Sequence, residues 1–447
     1  MVKRQILPLA LLPLVLAAAP SMAQVGAAGS PRPSTRPATT RAASTTPAVV
    51  APAVPIVAPK TFPALPPDPI ERADFMSKPK TIAKSITSAT AMMVIMSADK
   101  SEVGVTADVI ASVAAGSRQG TAFSAVFVSK QAKVGPEMTT SFDEAVRAVG
   151  MRYPKIDPGK IEFSFGDKYT PHEGGSAGTC FAVMLLSELE GFEIDPKVAV
   201  TGDITVDWKV RKIGGLPDKV RGAAADKCLY TGVPLENREQ ICDMVLFYGD
   251  STIRDIQVFS LDTLQDAVAL MRKDRAPQLT EAMKELSDLA PKLKGGRGTF
   301  ALPANQKVLE NIVALAPNCE SAKMMLEMSK GAFPRTLSPL FAFEQVFSTL
   351  DPYIGIVLGR TPVTRQSVTL AKTTAARNQL TKLAPITPPE LQPIIADIRA
   401  FVDVSENIAV GQTKPELLEP RRKTLIDHIQ ILGTNKDFRD RLMRSGM

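Results

Sequence analysis

The sequence predicts a mixed α/β domain over residues 70–275, followed by an all-α C-terminal region over 276–447. Three observations carry this prediction. Short β-branched runs alternate with amphipathic runs up to Met271. From Leu279 onward helical runs dominate, punctuated by proline and glycine. Ahead of both, residues 24–69 are rich in Pro, Ala, Thr and Ser, with no aromatic before Phe62. Such a stretch cannot bury enough apolar surface to offset the entropy of ordering it, so it reads as a disordered linker.

The elements of the α/β region follow in order. Val105 to Val113 and Thr121 to Ser129 have strand composition, with Gly116 to Gly120 as the turn between them. Phe142 to Val149 has helical spacing, and Thr139, Thr140 and Ser141 before it are candidate caps. Lys160 to Phe165 alternates like a strand. Ser176 to Glu190 is apolar nearly all round, the pattern of a buried helix, and Gly191 suits its C-terminal cap. Val198 to Val206 reads as a strand, with Val210 to Ile213 as its hairpin partner. Pro217 suits the start of a helix running to about Asp226. Cys228 to Tyr230, Met244 to Tyr248 and Ile256 to Ser260 read as short strands, and Leu261 to Met271 as a closing helix.

In the C-terminal region the helical runs are Glu281–Leu289, Gln306–Ala316, Cys319–Met328, Leu340–Leu350, Pro393–Val402 and Leu417–Leu432. The break before this region is read in Lys292 to Thr299, where glycines and basic residues cluster.

Residues 1–23 have the form of a signal peptide. Lys3 and Arg4 precede an apolar stretch from Ile6 to Ala19, and Ser21-Met22-Ala23 is a small-x-small cleavage site. Prolines at 8 and 13 and the short run argue against a membrane span. The expectation is cleavage after Ala23, export to a periplasmic or extracellular space, and no stable membrane span afterwards.

The net charge of +7 is carried by the N-terminus. Lys3, Arg4, Arg32, Arg36, Arg41 and Lys60 stand there with no acidic residue before Asp68, and the rest of the chain is close to neutral. No basic face for nucleic acid follows. Only His172 and His428 could supply imidazole, so a metal site resting on several histidines is not expected. No Cys-x-x-Cys pair or Gly-x-x-x-x-Gly-Lys-Ser/Thr phosphate loop is present, and no cofactor is expected. His172 reads as a loop residue and His428 as a half-exposed helix residue. Export permits disulfides. By spacing Cys228 and Cys242 could pair, or all four cysteines could be free and buried.

What chemistry remains rests on two residues. Ser176 lies in Glu173-Gly174-Gly175-Ser176-Ala177-Gly178, on a glycine-rich turn at a helix start. Gly174, Gly175 and Gly178 leave room for a substrate carbonyl, and the helix start offers N–H groups for an oxyanion. Lys219 lies in Gly214-Gly215-Leu216-Pro217-Asp218-Lys219, in the first turn of another helix. A serine hydroxyl needs a base, and lysine serves only when neutral. Its ordinary pKa of about 10.4 must fall by roughly 3, at a cost of about 4 kcal/mol. An apolar surrounding and the positive end of a helix dipole both act in that direction. Asp218 would oppose it if it faced the amine, and is expected to point away.

Taken together, Glu173 to Gly178, then Thr201-Gly202-Asp203-Ile204-Thr205, then Ile213-Gly214-Gly215-Leu216-Pro217-Asp218-Lys219, resemble the proteolytic domain of Lon proteases in order and spacing. Val233-Pro234-Leu235-Glu236-Asn237 is similar to a further segment of that family. The resemblance covers Val105 to Met271. It implies an α/β (α+β) fold like domain 2 of ribosomal protein S5. It also implies Ser176 as nucleophile, Lys219 as base, Thr201 orienting the amine, and Glu173 beside the site. Gly175 stands where the family has proline, Asp203 where it has glutamate, and Trp208 where it usually turns on glycine.

The expectation is an exported, ATP-independent serine endopeptidase acting on unfolded or flexible polypeptides. Whether the family's ring assembly is kept is open, so a homo-oligomer stands among the partners. A different class is also open on sequence alone: an inert scaffold whose helical C-terminal region binds a partner. Self-processing is a third option.

Overall fold

The computed structural model describes residues 76–96, 102–114, 122–128, 134–167 and 174–444. The signal and linker readings, the turn at Gly116 to Gly120, His172 and Glu173 lie outside the described residues.

Among the described residues a seven-stranded sheet organises the first part of the chain. Its centre is a long antiparallel hairpin of β1 (Ile86–Met96) and β2 (Glu102–Val113). On one side β4 (Gly159–Phe165) joins β2 antiparallel, and β3 (Phe123–Phe127) joins β4 parallel. On the other, β5 (Val198–Val200), β8 (Tyr230–Pro234) and β9 (Gln257–Leu261) run parallel to β1 in turn. A separate ribbon pairs β6 (Asp203–Ile204) with β7 (Val210–Arg211). Every residue of β5 and β9 is buried, as in parallel strands covered on both faces. In β4 the residues alternate between buried and half-buried.

Strand β1 has no counterpart in the sequence reading. Its Ser88-Ala89-Thr90-Ala91 stretch is small and polar rather than β-branched, and Ala89 and Ala91 are buried where the sheet is covered. The run Val198 to Val206 is not one strand. It breaks at Thr201-Gly202, after which the chain turns into β6. Gly202 has φ 155, and a Cβ there would meet Val210 Cγ1 at 2.6 Å and Thr179 Oγ1 at 2.7 Å.

Helix α1 (Pro136–Arg152) begins a turn earlier than its apolar run suggests. Thr139, Thr140 and Ser141 are therefore not caps. Thr139 and Thr140 donate back to the carbonyls of Gly135 and Pro136 inside the helix. Helix α2 (Gly178–Glu190) is buried from Gly178 to Leu189 and ends on Gly191 at φ 79. Phe142 of α1 and Phe181 of α2 close on Phe127, Phe163 and Phe165 of the sheet, with ring centroids 4.5–6.5 Å apart. Helix α3 (Leu216–Ala225) follows the ribbon, and α4 (Arg238–Tyr248) follows β8. Met244 to Tyr248 is thus helical, because a short apolar run does not separate strand from buried helix. Helix α5 (Leu264–Met271) starts at a capping box of Thr263 and Asp266.

The α/β core does not stop at residue 275. Helices α6 (Pro277–Leu289), α7 (Pro303–Leu315) and α8 (Glu320–Ser329) belong to the same apolar cluster, which runs to Phe333. Lys292 to Thr299 is no break, since Leu293 and Phe300 are fully buried in it. The start of α8 covers the edge strand β9. Val258 N–H donates to Ser321 Oγ, Ser260 N–H donates to Asn318 O, and buried Glu320 takes the Ser260 hydroxyl. A second core runs from Leu337 to Leu442. It is built by α9 (Pro339–Ser348), α10 (Leu370–Leu383), α11 (Gln392–Ala409), α12 (Leu418–Thr434) and α13 (Lys436–Arg444). Helices α10 and α13 lack a wide apolar stripe and escaped the sequence reading.

Cys180, Cys228, Cys242 and Cys319 are all free and buried. Cys228 and Cys242 form no disulfide, so the second of the two sequence alternatives holds. No helix among the described residues is long and apolar enough to cross a membrane.

Candidate active site

Ser176 sits in a short 3-10 turn, Gly175–Ala177, that leads directly into α2. Gly174 enters the turn at φ 88, a conformation that favours glycine. Gly178 is needed for space, since a Cβ there would lie 2.4 Å from Ser141 Oγ and 3.1 Å from Ile204 Cγ2. The backbone of Ser176 is held on its carbonyl side. Gly202 N–H donates to Ser176 O at 2.8 Å, and the Thr201 hydroxyl donates to the same oxygen at 3.1 Å. Both donors stand where β5 ends and the chain leaves the sheet.

Lys219 is brought to the same place by α3. Gly215 turns into that helix at φ 66, and Pro217 fills its first turn. The loop before it is clamped by Asn237, whose Oδ1 accepts from Ile213 N–H at 3.0 Å. The Asn237 Nδ2 donates to Ile213 O at 2.8 Å. The helix then lies against β2 with backbone on backbone. A Cβ on Gly222 would come 2.2 Å from Gly104 C, and one on Gly104 would come 1.7 Å from Asp218 O. This contact presses the first turn of α3 onto the hairpin, and Lys219 is left 5 % exposed.

That burial sets the charge of the amine. Desolvation pulls the Lys219 pKa down from its ordinary value to about 7. Asp218 faces away as expected, 3.2 Å from the Arg221 guanidinium. The Lys219 amine donates to Thr201 Oγ1 at 3.5 Å, a long contact. Since the Thr201 hydroxyl gives its hydrogen to Ser176 O, its lone pairs face the amine. Thr201 therefore joins the lysine to the serine backbone. The Ser176 hydroxyl itself makes no hydrogen bond to Lys219 or to any other described residue, so the dyad contact is not closed in this conformation.

Gly174 and Gly175 shape the turn, while Glu173 lies outside the described residues. Two residues that the sequence reading did not place at the site belong to it. Asn237 fixes the loop ahead of Lys219. The Ser141 hydroxyl meets Gly175 O at 2.5 Å and Asp203 Oδ1 at 3.0 Å. Trp208 turns the β6–β7 ribbon at φ 66, and its indole N–H donates to Ala148 O of α1 at 2.7 Å. His428 is remote from this site, on α12 beside Asp397.

A buried lysine, a serine on a glycine turn and a threonine joining them suit acyl transfer through a Ser-Lys pair. Residues 138–271 match the family described as Lon protease (S16) C-terminal proteolytic domain. The segment is thus similar to a Lon-type proteolytic domain, and the hairpin β1–β2 and strand β3 stand ahead of it in the same sheet. Over 120 residues the chain is 28% identical to a Lon protease of Rhizobium meliloti (strain 1021), covering 27% of this chain and 14% of that protein. Lon protease 1 of Sorangium cellulosum is 32% identical over 116 residues, 26% of this chain and 14% of its own length. Lon protease of Escherichia coli K12 is 26% identical over 144 residues, 31% of this chain and 18% of its own length. The chain thus spans less than a fifth of the length of these relatives.

Proposed function

We propose that this chain is an exported, ATP-independent serine endopeptidase that hydrolyses unfolded or flexible polypeptides. Ser176 attacks the scissile carbonyl and Lys219 takes its proton. The observation that carries this reading is the buried Lys219 amine, lowered to about 7 and facing the threonine that holds the Ser176 backbone. A base that is half neutral near pH 7 can accept the serine proton, whereas an exposed lysine cannot. Thr201 keeps the amine directed toward the turn. The Lon-type match of residues 138–271 supports peptide-bond hydrolysis as the reaction.

Export is supported by the signal-like residues 1–23, and ATP independence by the lack of any phosphate-loop motif in the 447 residues. The restriction to unfolded substrate follows from these two, since nothing in the proposal supplies work to open a folded chain. The purified chain, incubated with an unstructured protein such as casein without ATP, is expected to release peptides. Ser176→Ala and Lys219→Ala are each expected to lower the rate by about a thousandfold or more. Undiminished cleavage by either variant would rule the dyad out. N-terminal sequencing of the exported protein, expected to begin at Gln24, tests the signal.

A further inference from the structure

The turn that carries Ser176 has little stiffness of its own. Gly174 and Gly175 precede the serine, and glycine restrains the backbone least of all residues. The stiffness comes from neighbours that grip two successive carbonyls. Ser176 O is held by Gly202 N–H and the Thr201 hydroxyl. Gly175 O accepts from Gly178 N–H within the turn and from the Ser141 hydroxyl of α1. The same hydroxyl lies 3.0 Å from Asp203 Oδ1, which accepts from Ile204 N–H at 2.9 Å; with one proton to give, Ser141 donates it to the nearer Gly175 O. The fit is close, because even a methyl group on Gly178 would run into Ser141 Oγ.

A trans peptide carries its C=O and N–H on opposite sides of one plane. Pinning the Gly175 carbonyl therefore aims the other end of that peptide, the Ser176 N–H, away from Ser141 and out of the start of α2. That N–H opens the turn, so it has no partner within the helix. It donates to no other described residue. A backbone N–H on the nucleophile itself, rigidly aimed and with no acceptor among the described residues, is suited to receive the negative oxygen formed when the serine attacks.

We infer that Ser141 is a positioning residue: its hydroxyl, acting through the Gly175 carbonyl, orients the Ser176 N–H as an oxyanion donor. This rests on the proposal that Ser176 is the nucleophile. In the step concerned, Ser176 Oγ forms a bond to the substrate carbonyl carbon, and its proton passes to Lys219. The carbonyl π pair moves onto oxygen and is met by the Ser176 N–H. On collapse the C–N bond breaks, and the leaving amine takes the proton back from Lys219. Ser141 touches none of these atoms, so its removal should weaken the transition state and leave ground-state binding alone.

The test compares Ser141→Ala and Ser141→Cys with wild type, using a fluorogenic peptide for kcat and KM and a peptide boronate for tetrahedral-adduct affinity. Cysteine is near the size of serine and a poor donor, and it carries the test if the alanine variant does not fold. The expected result is a loss in kcat of about 10- to 100-fold. KM is expected to stay within about twofold, with boronate affinity falling in step with kcat. Wild-type kcat in both variants overturns the inference and leaves the peptidase reading intact. A rise in KM matched by a lower melting temperature, with boronate affinity unchanged, assigns Ser141 a merely structural role and also overturns it. An inert wild type whose Ser176 takes no boronate overturns both readings.

Discussion

At the scale of single residues, Lys219 is the one whose cost and use can be weighed together. Its pKa of about 7 in the folded chain lies below the ordinary value of 10.5. Between those values the unfolded chain binds more protons than the folded one, so stability rises with pH across that window. At pH 7 and below, burying this side chain costs on the order of 4 kcal/mol, since each pKa step of one is worth about 1.4 kcal/mol. Two outcomes follow from the same number. The hydrolysis rate is expected to rise with pH through about 7 as the amine loses its proton. Lys219→Met, which keeps the length and drops the charge, is expected to abolish turnover while raising stability at pH 7 by about 1–4 kcal/mol. Urea unfolding at pH 7 and pH 10 checks this, and an equal gain at both values would contradict it. Ser176, Thr201 and Lys219 were legible in the sequence because each sits in a short ordered motif. Ser141 was not, because a Thr-Thr-Ser run before an apolar stretch has the local look of a helix cap. Its partner is the carbonyl of Gly175, which no local pattern reveals.

At the scale of elements, the placement of the lysine depends on α3 meeting β2 without side chains between them. Gly222→Ala is a substitution that would stabilise a free-standing helix by about 1 kcal/mol. Here the added carbon would lie 2.2 Å from Gly104 C and 2.3 Å from its oxygen, both backbone atoms that cannot swing aside. Overpacking of this kind typically costs about 1–3 kcal/mol. The expected outcome is a less stable protein and a lower kcat as α3 lifts and Lys219 gains water. Its rate profile should also shift to higher pH as the amine regains solvent. A variant as stable and as active as wild type would show that the contact is not what seats the helix. The same element explains a limit of the sequence. Gly104 and Gly222 are far apart in the chain and each looks like an ordinary glycine, so their meeting is visible only in the fold. Helix α2 was legible because it is apolar all round, and Gly191 closes it. Strand β1 was hidden because its buried positions are threonines, alanines and methionines rather than an alternating β-branched run. Met244 to Tyr248 reads as a strand in sequence because five consecutive apolar residues do not by themselves separate a strand from a buried helix segment.

At the scale of the whole molecule, α4 is shared between the two cores. Ile241 and Met244 pack in the first, while Phe247 packs in the second, edge-on to Phe341. Tyr248 lies between the Arg221 guanidinium of α3 at 4.4 Å and the Lys382 amine of α10 at 5.4 Å. The helical region is therefore fastened to the helix that follows the Asn237 clamp. The most exacting fastening is Asp243, which is 1 % exposed. Its carboxylate accepts the Ser338 N–H at 2.7 Å and the Ser338 hydroxyl at 2.6 Å, at the start of α9. Burial nonetheless raises its pKa from 3.8 to about 6, and neighbouring Glu239 adds to this against the two Ser338 hydrogen bonds. For an acid whose folded pKa is raised, the folded chain binds the extra proton, so stability is fullest below pH 4 and declines as pH climbs toward 6. The span from 3.8 to about 6 corresponds to about 3 kcal/mol. Asp243→Asn keeps an acceptor for the Ser338 N–H and removes the charge that burial penalises. The variant is therefore expected to match or fall slightly below wild type at pH 4 and to exceed it by about 1–3 kcal/mol at pH 7. Measuring urea unfolding of both proteins at the two pH values isolates this group, because every other titration is common to the pair. A wild-type advantage at pH 7 would mean that the two charge-assisted hydrogen bonds outweigh burial, and that the junction is held by the ionised carboxylate.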